Sequence, residues 1–113
     1  MADHITITPA DGTWIVRANG AILAETTRAL ELREGSYPPV VYIPREDVAM
    51  ALFEGSPTRT TCPHKGQASY FSFVGPDGTV RDAAWSYETP KDGVAPIAGH
   101  LAFYPSKVKL ERA

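Results

Sequence analysis

Ten prolines and nine glycines cut this chain into short pieces, and the longest interval free of both lies between Gly20 and Gly35. Such spacing leaves little room for long helices. It suits many short strands joined by turns. His4 to Thr8 alternates, with Ile5 and Ile7 on one face. Thr13 to Ala18 and Ala21 to Thr26 flank Asn19-Gly20, a pair that suits a two-residue turn with positive φ at both positions and so predicts a hairpin. Arg28 to Glu34 alternates again. Pro38-Pro39 bends the chain into Val40 to Ile43, and Pro44 ends that run.

Arg45 to Phe53 is the one good helix candidate: Val48, Ala51 and Leu52 share a face, Glu46 and Asp47 suit a first turn, and Gly55-Ser56-Pro57 stops it. Ala68 to Val74 and Thr79 to Tyr87 read as strands around the turn Gly75-Pro76-Asp77-Gly78. A proline-bearing loop from Pro90 to Pro96 leads to a strand from Gly99 to Tyr104. Lys107 to Glu111 closes the pattern with Val108 and Leu110 facing inward. The expectation is a mostly-β domain of eight or nine short strands, built as a two-sheet or barrel-like body with one short helix near 45–53.

The 113 residues fit one domain, 1–113. A chain of this size buries roughly two thirds of its unfolded surface, enough for a core without cross-links. The net charge of −2 is scattered along the chain. No basic stripe points to nucleic acid, and no apolar run approaches the roughly 20 residues that span a bilayer, so neither partner is expected. A single cysteine makes no internal disulfide. Met1-Ala2-Asp3-His4 lacks a basic, then apolar, leader pattern. Both features favour a cytoplasmic protein read from Met1.

The densest chemistry lies in "TCPHKGQASY" at 61–70. Cys62 is a candidate nucleophile if a nearby cation favours its thiolate, and His64 and Lys65 are the cations at hand. The alternative is a buried structural thiol. Lys65-Gly66 could hold an anion, or could simply be a turn entering a strand. Glu34 can orient a lysine or act as a base. Trp85 and Tyr87 share a strand face and line either a pocket or a core. Zinc usually takes four ligands with paired spacing; Cys62, His4, His64 and His100 show none, so no metal and no cofactor is expected. Asp47, Asp77, Asp82 and Asp92 are scattered, without the clustered carboxylates that bind magnesium for nucleotidyl transfer.

Four ordered blocks, "PPVVYIPREDVAMALF" (38–53), "TTCPHKGQASYFS" (60–72), "AAWSYETP" (83–90) and "IAGHLAFY" (97–104), together with "NGAILAETTRALELRE" (19–34), resemble the signature blocks of the domain-of-unknown-function 427 family. The resemblance covers almost the whole chain. It implies a compact β-tent (Mss4-like) fold with two sheets around a cleft, found mainly in bacteria and fungi. Relatives of that architecture often carry a zinc knuckle of two Cys-x-x-Cys pairs, which one cysteine does not provide. The family pattern highlights Glu34, Tyr42, Pro44, Arg45, Asp47, Cys62, Pro63, Lys65, Gly66, Ser69, Tyr70, Trp85, Tyr87, Pro90 and Phe103. Position 64 departs from it, holding histidine where the family more often has an aromatic residue, which favours Cys62 with Lys65 over Cys62 with His64. The resulting expectation is a small-molecule cleft with Cys62, Lys65 and Glu34 as its chemical centre and Tyr42, Arg45, Ser69, Tyr70, Trp85 and Tyr87 as ligand contacts. Two alternatives stand beside it: a protein-interaction module, with Tyr104 and the Pro90 to Pro96 loop on its surface, and the nucleotidyltransferase-type activity sometimes attached to the family.

Overall fold

A computed structural model describes residues 4–113; Met1–Asp3, read above for the absence of a leader pattern, lie outside them. Ten strands are formed among the described residues: β1 (Ile5–Pro9), β2 (Trp14–Ala18), β3 (Ala21–Thr26), β4 (Leu30–Glu34), β5 (Val40–Tyr42), β6 (Phe53–Cys62), β7 (Gly66–Gly75), β8 (Gly78–Ser86), β9 (Ala102–Phe103) and β10 (Lys109–Arg112). They make three sheets, ordered β1-β4-β5, β10-β2-β3 and β6-β7-β8-β9. Every pairing is antiparallel. The mostly-β class is as expected, but there are three sheets rather than two, and they do not close into a barrel.

Local turn chemistry explains the hairpins. Asn19 (φ 49°) and Gly20 (φ 80°) both sit in the left-handed region, the backbone that a two-residue hairpin turn requires. Gly75 pairs with Gly78 across Pro76-Asp77. Sheets are then tied together by short bridges. Ile43 and Leu101 exchange two backbone hydrogen bonds of 2.8 Å, which joins the end of β5 to the start of β9.

Two expectations change. The segment 45–53 is helical only in two 3₁₀ turns, Arg45–Asp47 and Met50–Leu52, instead of one continuous α-helix. Val48 between them is extended and bridges Ala24, and the Ala49 N–H donates to the Leu23 carbonyl at 2.8 Å. Pairing with β3 takes the backbone groups that a helix would have used. The stretch after it, expected to be a stop signal, is the ten-residue strand β6. It lies at the edge of its sheet, and only Ser56 in it is buried, so no alternation shows in its sequence. Pro57 falls within a register shift between Ser56 and Arg59, where a strand tolerates a residue without an N–H.

Two apolar clusters fill the interior. One is built on Val16, Leu23, Ile43, Phe73, Ala83, Ala84 and Leu101. The other holds Leu32, Tyr42, Ala68, Tyr70, Tyr87, Val94 and Ile97. β7 serves both, sending Ala68 and Tyr70 to the second and Phe71 and Phe73 to the first. A bulge lies between Phe71 and Phe73, where the Asp82 N–H donates to Ser72 Oγ at 3.0 Å. No helix among the described residues is long and apolar enough to cross a membrane.

Candidate functional site

The turn from β6 to β7 builds the centre of the site. Cys62 pairs with Gly66, and Pro63, His64 and Lys65 form the turn between them. The Lys65 N–H donates to the Cys62 carbonyl at 3.3 Å. Gly66 takes φ 111°, a backbone open to glycine and strained for any L side chain. The Lys65 carbonyl accepts from the Lys91 N–H at 3.0 Å, which fastens the turn to the loop after β8. The outcome is a lysine turned inward, with only 9% of its surface exposed.

Buried cations need partners. Lys65 Nζ donates to Glu34 Oε1 at 2.6 Å, from the last residue of β4. Lys65's hydrogen bond holds the Glu34 carboxyl below its ordinary value, against the opposing effect of burial. Burial by itself would release the lysine's proton; the hydrogen bond that it donates to Glu34 and the charge of that carboxylate counter it, so its pKa is raised. Lys65 is therefore a fixed ammonium rather than a base. It offers two further N–H donors beyond the one that Glu34 takes.

Beside this pair opens a cavity of about 260 Å³, lined by Leu32, Glu34, Tyr37, Pro38, Val40, Tyr42, Lys65, Tyr70, Trp85, Tyr87 and Tyr104. Tyrosine and tryptophan dominate its walls. Trp85 packs on Tyr104 with ring centroids 4.5 Å apart and meets Tyr42 edge-on at 6.4 Å. The hydroxyls of Thr60 and Tyr70 are 2.8 Å apart, and the Tyr104 hydroxyl donates to that of Tyr70 at 3.4 Å. Burial pushes the phenols of Tyr42, Tyr87 and Tyr104 above their ordinary value, so they stay neutral hydrogen-bonding groups.

Six of the nine residues singled out from the sequence meet here: Glu34, Tyr42, Lys65, Tyr70, Trp85 and Tyr87. Cys62 is half-buried and packs against the same aromatic cluster, in the same turn as Lys65, but it does not line the cavity itself. Arg45 and Ser69 go elsewhere. Ser69 neighbours Tyr70 on β7 and so points to the opposite face of the sheet, in register with Ser86. Arg45 lies over the Phe71 ring at 5.3 Å, donates to both Glu88 carboxylate oxygens at 2.7 Å and to the Gly99 carbonyl at 3.0 Å. Its geometry is that of a clamp between loops.

Tyr104, assigned from the sequence to an interaction surface, belongs to the cavity instead. Tyr37, which the sequence groups with Glu34, Tyr42 and Arg45 as polar and aromatic residues, also lines it, as do Pro38 of the bend and Val40 of the strand. The signal for Tyr104 was present in its two-residue spacing from Ala102, which pairs with Trp85. The scattered aspartates stay apart. Asp47 accepts from Thr26 and Arg28, Asp82 accepts from Thr58, and Asp77 and Asp92 are exposed.

Residues 6–113 match the model of the domain of unknown function DUF427. The chain belongs to this family. The match takes in every strand after the first residue of β1, and with them all the residues of the cleft. No curated protein matches the chain. The family description assigns no activity.

Proposed function

We propose that the cleft binds a small organic molecule, with Lys65 as its polar anchor and the tyrosine-tryptophan wall as its apolar seat. The observation that carries this reading is the placement of Lys65. An ammonium held at 9% exposure, fixed by Glu34, borders a cavity walled by Tyr42, Tyr70, Trp85, Tyr87 and Tyr104. Apolar and aromatic walls with a few convergent polar groups are the common make-up of ligand pockets. The free donors of Lys65 call for an acceptor such as a carboxylate or carbonyl, and the flat walls favour a ring or a planar group. The volume of about 260 Å³ restricts the ligand to metabolite size.

The chain has two tryptophans. Trp14 lies away from the cavity, its Nε1–H donating to the carbonyls of Ala10 and Asp11. A Trp14→Phe protein therefore reports on Trp85 alone. Screened against small carboxylates, aromatic acids, sugar phosphates and nucleotides, its fluorescence should respond saturably to one class, and Lys65→Met should abolish that response. A panel whose members bind equally with and without Lys65 would remove the reading.

A catalytic role for Cys62 rests on its position beside Lys65 and the aromatic cluster. If the ammonium activates the thiol, iodoacetamide labels Cys62 more slowly in Lys65→Met than in wild type. Equal rates make it a structural thiol. The interaction-module alternative draws on the free edge of β6; a peptide added there would bind Lys65→Met and wild type alike.

A further inference from the structure

Three residues from distant parts of the chain meet at the rim of the cleft. His4, Glu34 and His64 each place one ligand-capable atom within 4.8 Å of the other two. His4 Nε2 lies 3.4 Å from Glu34 Oε2, and the His4 and His64 rings meet edge to face, centroids 4.6 Å apart at 81°. Two ligands held at ~2.0–2.1 Å on a tetrahedral ion sit roughly 3.3 Å apart. The His4–Glu34 spacing already has that value. His4 is 41% exposed, so its ring can turn toward the remaining position without disturbing packed atoms.

The carboxylate is suitably prepared. Glu34 Oε1 is held by Lys65 at 2.6 Å, which leaves Oε2 facing His4. A ligating carboxylate that is hydrogen-bonded through its other oxygen is oriented before an ion arrives. Two imidazoles and one carboxylate form a donor set suited to zinc and neighbouring first-row ions, and three protein ligands leave a coordination position open. Because Glu34 also lines the cavity, that position borders the cleft.

We propose that His4, Glu34 and His64 form a binding site for a divalent transition-metal ion at the rim of the tyrosine-lined cavity. The expectation of no metal counted ligands by their spacing along the chain. This set is invisible to that count, because β1, β4 and the β6–β7 turn bring its members together only on folding.

The test uses the untagged 113-residue chain, stripped with EDTA, exchanged into metal-free buffer and titrated with zinc chloride in a calorimeter. One equivalent should bind. His4→Ala and His64→Phe should each weaken binding roughly tenfold or more, with the melting temperature of the metal-free protein little changed in His4→Ala, whose side chain is 41% exposed. His64→Phe keeps an aromatic edge against His4; if it fails to fold, His64→Gln takes its place. Cys62→Ser should bind like wild type. The proposal is overturned by wild type that takes up no stoichiometric zinc, by histidine variants that bind as tightly as wild type, or by loss in Cys62→Ser with retention in His4→Ala. Trp85 fluorescence follows cleft ligands without added metal, so the two proposals succeed or fail separately.

Discussion

The two interior clusters of this protein differ in kind. One is hydrocarbon throughout, with Val16, Leu23, Ile43, Phe73, Leu101 and Val108 buried and Phe53, Phe71 and Leu110 packed around them. The other carries the phenols of Tyr42, Tyr70 and Tyr87 among Leu32, Val94 and Ile97, with Cys62, Trp85 and Tyr104 at its margin. A hydrocarbon cluster closes on itself because none of its atoms needs a partner. Phenols and indoles bring polar ends that must find partners or water, and the second cluster opens into the tyrosine-lined cavity. One four-stranded sheet supports both. Its faces divide the labour: one side packs against the hydrocarbon cluster, and the other presents hydrogen-bonding groups to the cavity.

Sharp substitutions test that division. The largest effect is expected from Phe73→Ala, at a side chain 1% exposed in the hydrocarbon cluster. It should destabilise by about 3–5 kcal/mol in urea unfolding, while folded protein keeps its Trp85 response to ligand. A loss well under this would mean the cluster is looser than its burial implies. Next comes Lys65→Met, which leaves the Glu34 carboxylate with His4 as its remaining side-chain partner. The expected cost is ~1–3 kcal/mol, and adding Glu34→Gln should recover part of it, since a neutral amide needs no counter-charge. If the double variant is no better than the single, the pair is not electrostatically coupled.

Tyr70→Phe removes only the hydroxyl bridging Thr60 and Tyr104. About 1 kcal/mol of stability should go with it, and ligand affinity should fall by more than stability does. The bulge between the two faces supplies a pH-dependent test. Asp82 (φ 50°) accepts from Thr58 Oγ1 at 2.8 Å, and hydrogen bonding from Ser56 and Thr58 holds its carboxyl below the ordinary 3.8. A depressed carboxyl contributes stability above its unfolded value and loses it as pH falls through the folded one. The stability advantage of wild type over Asp82→Asn should therefore be present at neutral pH and shrink on acidification below 3.8. Asparagine also tolerates the positive φ, so backbone strain does not obscure the comparison. Arg17→Ala, which breaks an exposed pair with Glu111, should leave the melting temperature within error.

How much of this was legible beforehand varies with the range of the interaction. The Asn19-Gly20 and Gly75 to Gly78 turns were legible because their backbone demands are met within two or four residues. Strand β6 was not, since an edge strand with one buried residue and an internal proline carries no periodic pattern. The helix over 45–53 looked right by its own periodicity and gave way to pairing of Val48 and Ala49 with β3. Within the site, Tyr42, Tyr70, Trp85 and Tyr87 were visible as aromatic positions on strands. Ser69 came from the same motifs yet faces away, because alternate residues on a strand point to opposite faces and a motif does not say which face is the cleft; Arg45, in a 3₁₀ turn, is drawn instead to Glu88 and Gly99.

The chain by itself determined that this would be a mostly-β protein with turns where glycine, asparagine and proline stand, because a residue's φ is limited by its own side chain. It also determined that Cys62 and Lys65 would share one tight turn. Tertiary structure alone decided that Lys65 turns inward onto Glu34, that five tyrosines converge on one cavity, and that His4 reaches His64. Those meetings depend on how three sheets stack and where bulges shift their register, and such distances are set by packing between strands far apart in sequence.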